Sequence, residues 1–216
     1  MELTLSSIPE TEALRYLGVR GPVPADLLEQ VREGCRQLLP HCRVRYTWRL
    51  THKAALGEIL TGEDLPTLLR HCDRAVVMAV TLGMEAEVLI RRAGLTSPTR
   101  ALILDACASA ACEAACDQVQ GLVEAQLQAE GIHFTDRFSP GYGDLPLEVQ
   151  RPLLAFLDGQ RMCGITLTDT FLMTPRKSVT ALFGLSDRPW GKRARGCAFC
   201  SMNQNCSFRK AGITCA

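Results

Sequence analysis

The sequence predicts an α+β fold, in which a twisted and largely antiparallel sheet is flanked by helices. Residues 42–50 alternate strictly between apolar and polar side chains, which is the pattern of a strand buried on one face. Residues 165–173 and 178–185 resemble two more strands, and Thr174-Pro175-Arg176-Lys177 between them suits the turn of a hairpin. Helical patterns occupy much of the chain between these strands.

The first half of the chain supplies helices and a central strand. Residues 22–39 carry apolar side chains at helical spacing, with Pro24 in the first turn and Pro40 after the last, so we predict an amphipathic helix. A short helix is expected over 61–72. The uninterrupted apolar run 75–82 predicts a strand that is buried on both faces.

The second half begins with two more predicted helices, over 84–93 and 97–130. The longer one starts with a serine–proline pair, which suits a helix cap and first turn, and its first half is rich in small side chains. Such side chains allow another element to approach closely. Asp144 is placed to cap a further helix over 145–157.

Composition excludes several classes of function. The 216 residues are 47% hydrophobic and 22% charged, with a net charge of +1, so nothing attracts the chain generally to nucleic acid or an anionic membrane. The most apolar stretch, 75–84, is about half the ~20 residues that a membrane span needs. The N-terminus lacks the basic start and apolar middle of a secretory signal. We therefore expect a cytoplasmic protein with no nucleic-acid or membrane partner.

The stretch RFSPGYGD, from Arg137 to Asp144, is the strongest candidate for a binding site. Its proline restricts the backbone, and its two glycines permit close approach of a ligand. Arg137 offers a rigid fork of donors for a carboxylate, and Tyr142 offers a flat apolar face with a polar tip. These features suit a zwitterionic, aromatic ligand. The alternative is a tight turn whose arginine is merely solvated.

Two motifs together resemble the activation domain of cobalamin-dependent methionine synthases. They are RFSPGYGDLPLEVQ and, later in the chain, LTDTFLMTPRKSVTALFGLSD. In that family an Arg-x-x-Pro-Gly-Tyr loop precedes a strand pair of the form Leu-Thr-[acid]-[small]-Phe-x-Met-x-Pro-x-x-Ser-Val-[Ser/Thr]. Segments around RYLG, VVMAVTLG and RALILDA are also similar. The resemblance covers roughly residues 10–187, and it implies an AdoMet-binding activation domain over 1–187 with a cysteine-rich tail over 188–216.

The resemblance also implies which residues contact AdoMet. Arg137 matches the arginine that receives the methionyl carboxylate, and the residues that line the ligand, largely through backbone groups, are Ser139, Pro140, Gly141 and Tyr142. Phe183 stands where the family often has a tyrosine beside AdoMet. Glu113 falls near a helical glutamate of the family, although it is equally expected as an ordinary polar break on a helix. Gly143 replaces a proline that is usual in the fused enzymes.

The implied function is that of the reactivation component of a split methionine synthase. In that family AdoMet donates a methyl group when inactive cob(II)alamin is reduced by one electron, and the activation domain supplies position rather than acid, base or nucleophile. The chain contains no Asp-x-His-x-x-Gly cobalamin motif. Cobalamin is therefore expected on a partner methionine synthase subunit, with a reductant protein as a second partner.

The C-terminal tail carries four cysteines at spacings typical of a metal site: Cys197, Cys200, Cys206 and Cys215. The alternatives are an iron–sulfur cluster, which the need for an electron favours, a structural zinc ion, and reduced thiols or a redox pair without metal. This tail supports an alternative function, a metal- or iron–sulfur-binding adaptor that activates other corrinoid methyltransferases without AdoMet. A structural interaction protein on the same fold is a third hypothesis.

The other seven cysteines are expected to pack in the core rather than form disulfides, since the total of eleven is odd and no export signal is present. They are Cys35, Cys42, Cys72, Cys107, Cys112, Cys116 and Cys163. Arg43, Arg45 and Arg49 share one face of the strand over 42–50. They are expected to form a solvated face, with a partner surface as the alternative.

Overall fold

The computed structural model describes residues 1–19, 21–128 and 131–189. Their contacts divide them into two compact units. Unit 1 consists of the described residues of Met1–Trp48, Met78–Leu127 and Leu154–Thr180. Unit 2 consists of the described residues of Arg49–Val77 and Gln128–Leu153 and of those from Ala181 onward. The predicted ligands of the cysteine tail lie outside the described residues.

The structure contains one five-stranded sheet and one two-stranded sheet in its described residues. The strands are β1 Glu2–Leu3, β2 Val44–His52, β3 Arg74–Thr81, β4 His133–Phe134, β5 Thr166–Leu167, β6 Met173–Thr174 and β7 Ser178–Ser186. The larger sheet has the order β1-β2-β3-β7-β4. Both edge strands are antiparallel to their neighbours, with Glu2 opposite Arg45 and His133 opposite Ser186. The predicted α+β class with a largely antiparallel sheet is confirmed.

The described residues also form seven α-helices and three 3₁₀ segments. The α-helices are α1 Glu10–Tyr16, α2 Ala25–Leu38, α3 Asp64–Leu68, α4 Met84–Gly94, α5 Pro98–Leu127, α6 Gln150–Leu157 and α7 Gly159–Cys163. The 3₁₀ segments are Leu39–His41, Lys53–Ile59 and Leu147–Val149. Among the described residues, none of the helices combines the length and hydropathy needed to cross a membrane.

The most apolar stretch of the sequence forms the central strand β3, as predicted. Every residue from Ala75 to Val80 is fully buried, because β3 lies between β2 and β7 and both of its faces are covered. Gly83 then leads into α4 with a φ of 80°. A side chain at this position would meet the backbone oxygen of Arg43 at 3.2 Å, so glycine is needed for the close approach as well as for its conformation.

The core of unit 1 is built around α5, against which α1, α2 and α4 pack. Ser97 caps α5 as predicted, since its hydroxyl oxygen accepts a hydrogen bond from the Arg100 amide at 3.2 Å. The small side chains of α5 are buried, including Ala108, Ala111 and Ala115 at 0% exposure. They allow the neighbouring helices to approach closely, which agrees with the expectation from the sequence.

Two expected elements differ from the structure. The helix expected over 61–72 is confined to Asp64–Leu68. In β2, the expected one-sided burial is wrong, because Val44 and Thr47 are both buried. These two residues point to opposite faces of the strand, so both faces are partly covered.

The expected hairpin around residues 174–177 is also wrong. β5 pairs with β6 instead, and the chain reverses through residues 168–172, where the Thr168 amide donates to the Leu172 carbonyl at 2.9 Å. β7 joins the larger sheet. The Thr174–Lys177 segment is instead held by α4 and α5, because the carboxylate of Glu87 accepts hydrogen bonds from the amides of Arg176 and Lys177.

Lys177 attaches the same segment to α5 as well. Its ammonium group lies 2.9 Å from a carboxylate oxygen of Asp105 and donates to the hydroxyl of Ser109, also at 2.9 Å. The Lys177 side chain is 14% exposed and that of Asp105 is 43% exposed, so the ion pair is partly shielded from water on the lysine side. The Pro-Arg-Lys part of the second motif is therefore a structural attachment within unit 1.

Six of the seven cysteines in the described residues are buried and Cys42 is half-buried, and all seven are free thiols. Burial raises the pKa of the Cys163 thiol to about 11. Burial, together with the nearby Cys112, raises that of Cys42 to about 12. Both groups therefore stay protonated near neutral pH, as expected of thiols that pack in a core.

Candidate functional site

The candidate site is the segment from Arg137 to Asp144, called the 137–144 loop below. It follows β4 in unit 2 and is attached to β7 at its start. Phe138 and Leu182 each donate an amide hydrogen bond to the other's carbonyl oxygen, at 2.8 and 2.9 Å. Just before the loop, Thr135 bonds to Gly184 through both its amide and its hydroxyl. These bonds extend the pairing of β4 with β7 into the loop.

The middle of the loop is a pair of hydrogen-bonded turns. The Tyr142 amide donates to the Ser139 carbonyl at 3.1 Å, and the Leu145 amide donates to the Tyr142 carbonyl at 3.0 Å. The Gly141 amide donates back to the Leu145 carbonyl at 2.8 Å. The backbone is thus fixed by its own hydrogen bonds, and little conformational entropy would be lost when a ligand binds.

Asp144 closes the loop by capping a distant helix. Its carboxylate oxygens accept hydrogen bonds from the amides of Glu63 at 2.5 Å and Asp64 at 3.2 Å. These amides belong to the N-terminal end of α3, where donors lack partners within the helix and a negative charge is favourable. The expectation that Asp144 caps a helix over 145–157 is therefore wrong, and that stretch begins instead with the 3₁₀ turn Leu147–Val149.

The cap predicts a loss of stability when Asp144 is shortened. We expect Asp144→Ala to lower the free energy of unfolding by about 1–2 kcal/mol, because two amides at the start of α3 lose their acceptor. Asp144→Asn is the matched control: it keeps one acceptor oxygen and should lose less. Urea unfolding followed by circular dichroism measures both. Equal stability of Asp144→Ala and the parent chain would show that the cap is not used in solution.

The exposure of the loop side chains fits a surface site. Arg137 and Ser139 are half-buried and Pro140 is buried. Tyr142 is 64% exposed, which is high for a tyrosine ring, and Gly141 is also exposed. The loop therefore brings together, within a few residues, a guanidinium group, open backbone and an accessible aromatic face.

Phe183 occupies a different setting from the loop residues. Its side chain is fully buried, and its ring packs edge-to-face with that of Phe134 at a centroid distance of 6.1 Å. Its strand, β7, lies between β3 and β4 and is covered on both faces. The ring presents no accessible surface in this structure, so its place beside a ligand stays a prediction.

Glu113 is half-buried on α5 in unit 1. The 137–144 loop and Phe183 belong to unit 2. The structure therefore gathers five of the predicted AdoMet ligands in one loop, and the role of Glu113 stays a prediction.

Residues 62–64 support the loop and were not predicted to do so. A side chain at Gly62 would lie 2.6 Å from an Asp144 carboxylate oxygen, and one at Gly143 would press against the Asp64 carboxylate. Glu63 and Asp144 are 81 positions apart. A possible cap at Thr61 or Gly62 is visible in the sequence, but no local pattern identifies Asp144 as the capping side chain.

Metal ligation cannot be assigned to the residues that the structure covers. Within 1–19, 21–128 and 131–189, no group of three or more His, Cys, Asp or Glu side chains is arranged to hold a metal ion. The tail cysteines predicted as ligands, from Cys197 to Cys215, lie outside these ranges.

By sequence, no family model matches the chain and no curated protein matches it. By structure, the chain resembles the crystal structure of the MetH reactivation domain bound to AdoHcy, with a TM-score of 0.64 and 14% sequence identity. The superposition covers 100% of this chain and 86% of that one. The class that this comparison defines is one of fold: an α+β domain with the architecture of a reactivation domain.

Proposed function

We propose that this chain binds AdoMet through the 137–144 loop and acts as the reactivation component of a split cobalamin-dependent methionine synthase. The proposal depends chiefly on one observation. A hydrogen-bonded loop with the Arg-x-x-Pro-Gly-Tyr sequence, a half-buried arginine and an exposed tyrosine occurs in a chain with the reactivation-domain fold. The solved structure with the similar fold has AdoHcy bound, which supports a ligand of this class here.

In the proposed complex Arg137 holds the methionyl carboxylate. A guanidinium group can donate two parallel hydrogen bonds to a carboxylate, which sets both the position and the orientation of the ligand. Ser139, Pro140 and Gly141 line the ligand mainly through backbone groups, and Tyr142 offers its exposed ring. The bonds from Phe138 to β7 and from Asp144 to α3 keep this surface in place before binding.

The chain's contribution to the reaction is positioning. AdoMet gives up its methyl group while the electron pair of the broken bond stays on sulfur, so AdoHcy leaves as a neutral thioether. No proton moves in this transfer, and no acid or base is required from the chain. Cobalamin held by the partner would supply the nucleophile, and a reductant protein would supply the electron. Holding the methyl group in line with its acceptor lowers the barrier through proximity and orientation.

The binding part of the proposal is tested by calorimetric titration of the anaerobically purified full chain with AdoMet and with AdoHcy. We expect one-to-one binding of both ligands. Absence of binding, alone and with a cobalamin protein present, would contradict the proposal. It would favour the adaptor function that uses the cysteine tail, with its iron–sulfur cluster or zinc ion.

The split-enzyme part needs a second measurement. The chain is mixed with AdoMet, a low-potential one-electron reductant and a cobalamin-carrying methionine synthase fragment that lacks its own activation domain. We expect methylcobalamin to form, as followed by visible absorption, only when the chain is present. If the chain binds AdoMet but no methylcobalamin forms, AdoMet binding stands and the role in a split methionine synthase is contradicted.

A further inference from the structure

Two buried thiols of unit 1 lie in direct contact. Cys35 is on α2 and Cys107 is on α5, and their sulfur atoms are 3.6 Å apart, with the Cys35 thiol donating to Cys107 Sγ. Cys35 is 8% exposed and Cys107 is fully buried. The pair is separated by 72 positions in the sequence, so only the packing of the two helices brings the sulfurs together.

The close approach of α2 and α5 depends on Gly34. A Cβ atom there would lie 3.1 Å from Cys107 Sγ and 3.1 Å from Ile103 Cγ2, which is closer than most Cβ contacts in proteins. The glycine thus lets the helix backbones come near enough for two short cysteine side chains to meet. Neither thiol takes part in the 137–144 loop, which belongs to unit 2.

The two helices that carry this pair also border a groove. A groove of about 700 Å³ lies on α2 and the start of α5, and its lining includes Gly34, Ile103 and Leu104. Gly34 precedes Cys35 in the sequence, and a side chain added at Gly34 would lie near Ile103, Leu104 and the sulfur of Cys107. Cys35 also retains the little exposure noted above, so Cys35 is the thiol that a solute reaches first.

The contact also gives the two thiols different pKa values. The hydrogen bond between the two thiols lowers the pKa of Cys35, because Cys107 can donate to the Cys35 sulfur once that sulfur has lost its proton. The same interaction raises the pKa of Cys107, and burial adds to this. Cys35 is also the more exposed of the two, so we expect it to be the nucleophile of the pair. Cys42 and Cys163, whose pKa values are raised by burial, are less reactive thiols.

We propose that Cys35 and Cys107 form a redox-responsive pair, which hydrogen peroxide converts into a disulfide that joins α2 to α5. The Cys35 thiolate attacks one peroxide oxygen, the O–O bond breaks, and hydroxide leaves and takes up a proton as water. The sulfur of Cys107 then attacks the resulting Cys35 sulfenic acid and releases a second water. Peroxide gains two electrons, and each sulfur loses one.

The geometry requires only a small movement. The sulfurs must approach by about 1.5 Å to reach the ~2.0 Å length of a disulfide bond. Closing a loop of 72 positions removes entropy from the unfolded chain, so the oxidised protein should be more stable than the reduced one. A dithiol reductant reverses the reaction.

The test uses the full chain, reduced and then treated with hydrogen peroxide. Remaining thiols are alkylated, and tryptic peptides are analysed without reduction by tandem mass spectrometry. We expect a cross-link between peptides 33–36 and 101–137, located at Cys35 and Cys107 rather than at Cys112 or Cys116. We also expect a rise of about 5–10 °C in Tm that dithiothreitol reverses.

Two variants test whether the cross-link and the Tm rise come from the Cys35–Cys107 pair. Cys107→Ala should lose both the cross-link and the Tm rise. Cys163→Ala removes another buried thiol and should keep both. If Cys107→Ala fails to fold, the cross-link map of the unaltered chain still decides. Absence of the 35–107 cross-link, conversion of Cys35 to a sulfinic acid without cross-linking, or a Tm rise that persists in Cys107→Ala would each overturn the proposal.

Discussion

Replacing Arg137 with alanine is expected to weaken the binding of AdoMet and AdoHcy by about 10- to 100-fold, because a charge-assisted hydrogen-bonded pair is lost. Arg137→Lys keeps the charge but not the planar fork, so its loss should be smaller than that of alanine. Isothermal titration calorimetry measures the affinity of the parent chain and of both variants for the two ligands. The parent fold must be retained, which circular dichroism checks.

Two comparisons make this experiment specific to the carboxylate. 5′-Methylthioadenosine has the nucleoside and the sulfur but no methionyl carboxylate, so its affinity should change little in Arg137→Ala. Arg161→Ala is the matched control, because Arg161 is also an arginine but is 77% exposed and paired with Asp158 in unit 1. Unchanged AdoHcy affinity in Arg137→Ala would remove this residue from the site.

Gly143→Pro is expected to lower the free energy of unfolding by about 3 kcal/mol or more and to abolish ligand binding. Gly143 has a φ of 55°, whereas proline is restricted to about −65°. A side chain at this position would also press against the Asp64 carboxylate and lie 3.2 Å from the Phe138 ring. The substitution therefore moves the loop away from α3.

This prediction bears on the difference from the fused enzymes, which usually have proline at this position. A backbone with positive φ cannot hold proline, so we expect this substitution to distort the 137–144 loop. Thermal and urea unfolding measure the loss in the free energy of unfolding of Gly143→Pro. Gly143→Ala compared with Gly18→Ala separates the two causes, since Gly18 also has positive φ but no atom within 4 Å of an added side chain. A fully stable, ligand-binding Gly143→Pro would show that the loop backbone is not constrained as described.

Elements whose pattern is local and strong could be predicted from the amino-acid sequence. The apolar run 75–82 became the buried strand β3, and the helix that starts with Ser97 and Pro98 became α5. Hydrophobic periodicity and capping residues act over a few positions, so these elements can be predicted without knowing their neighbours. The 137–144 loop was likewise located from its proline, its glycines and its arginine.

Which elements contact each other could not be predicted, because these contacts form only in the folded chain. Asp144 looked like the cap of the next helix but caps α3, because the free amides of α3 are brought beside it by the fold. Residues 174–177 looked like a hairpin turn but are held by Glu87 and Asp105, so β7 joins the larger sheet. Phe183 is buried because β7 is covered on both faces. Each outcome depends on contacts between residues far apart in the chain, and a local pattern does not specify such partners.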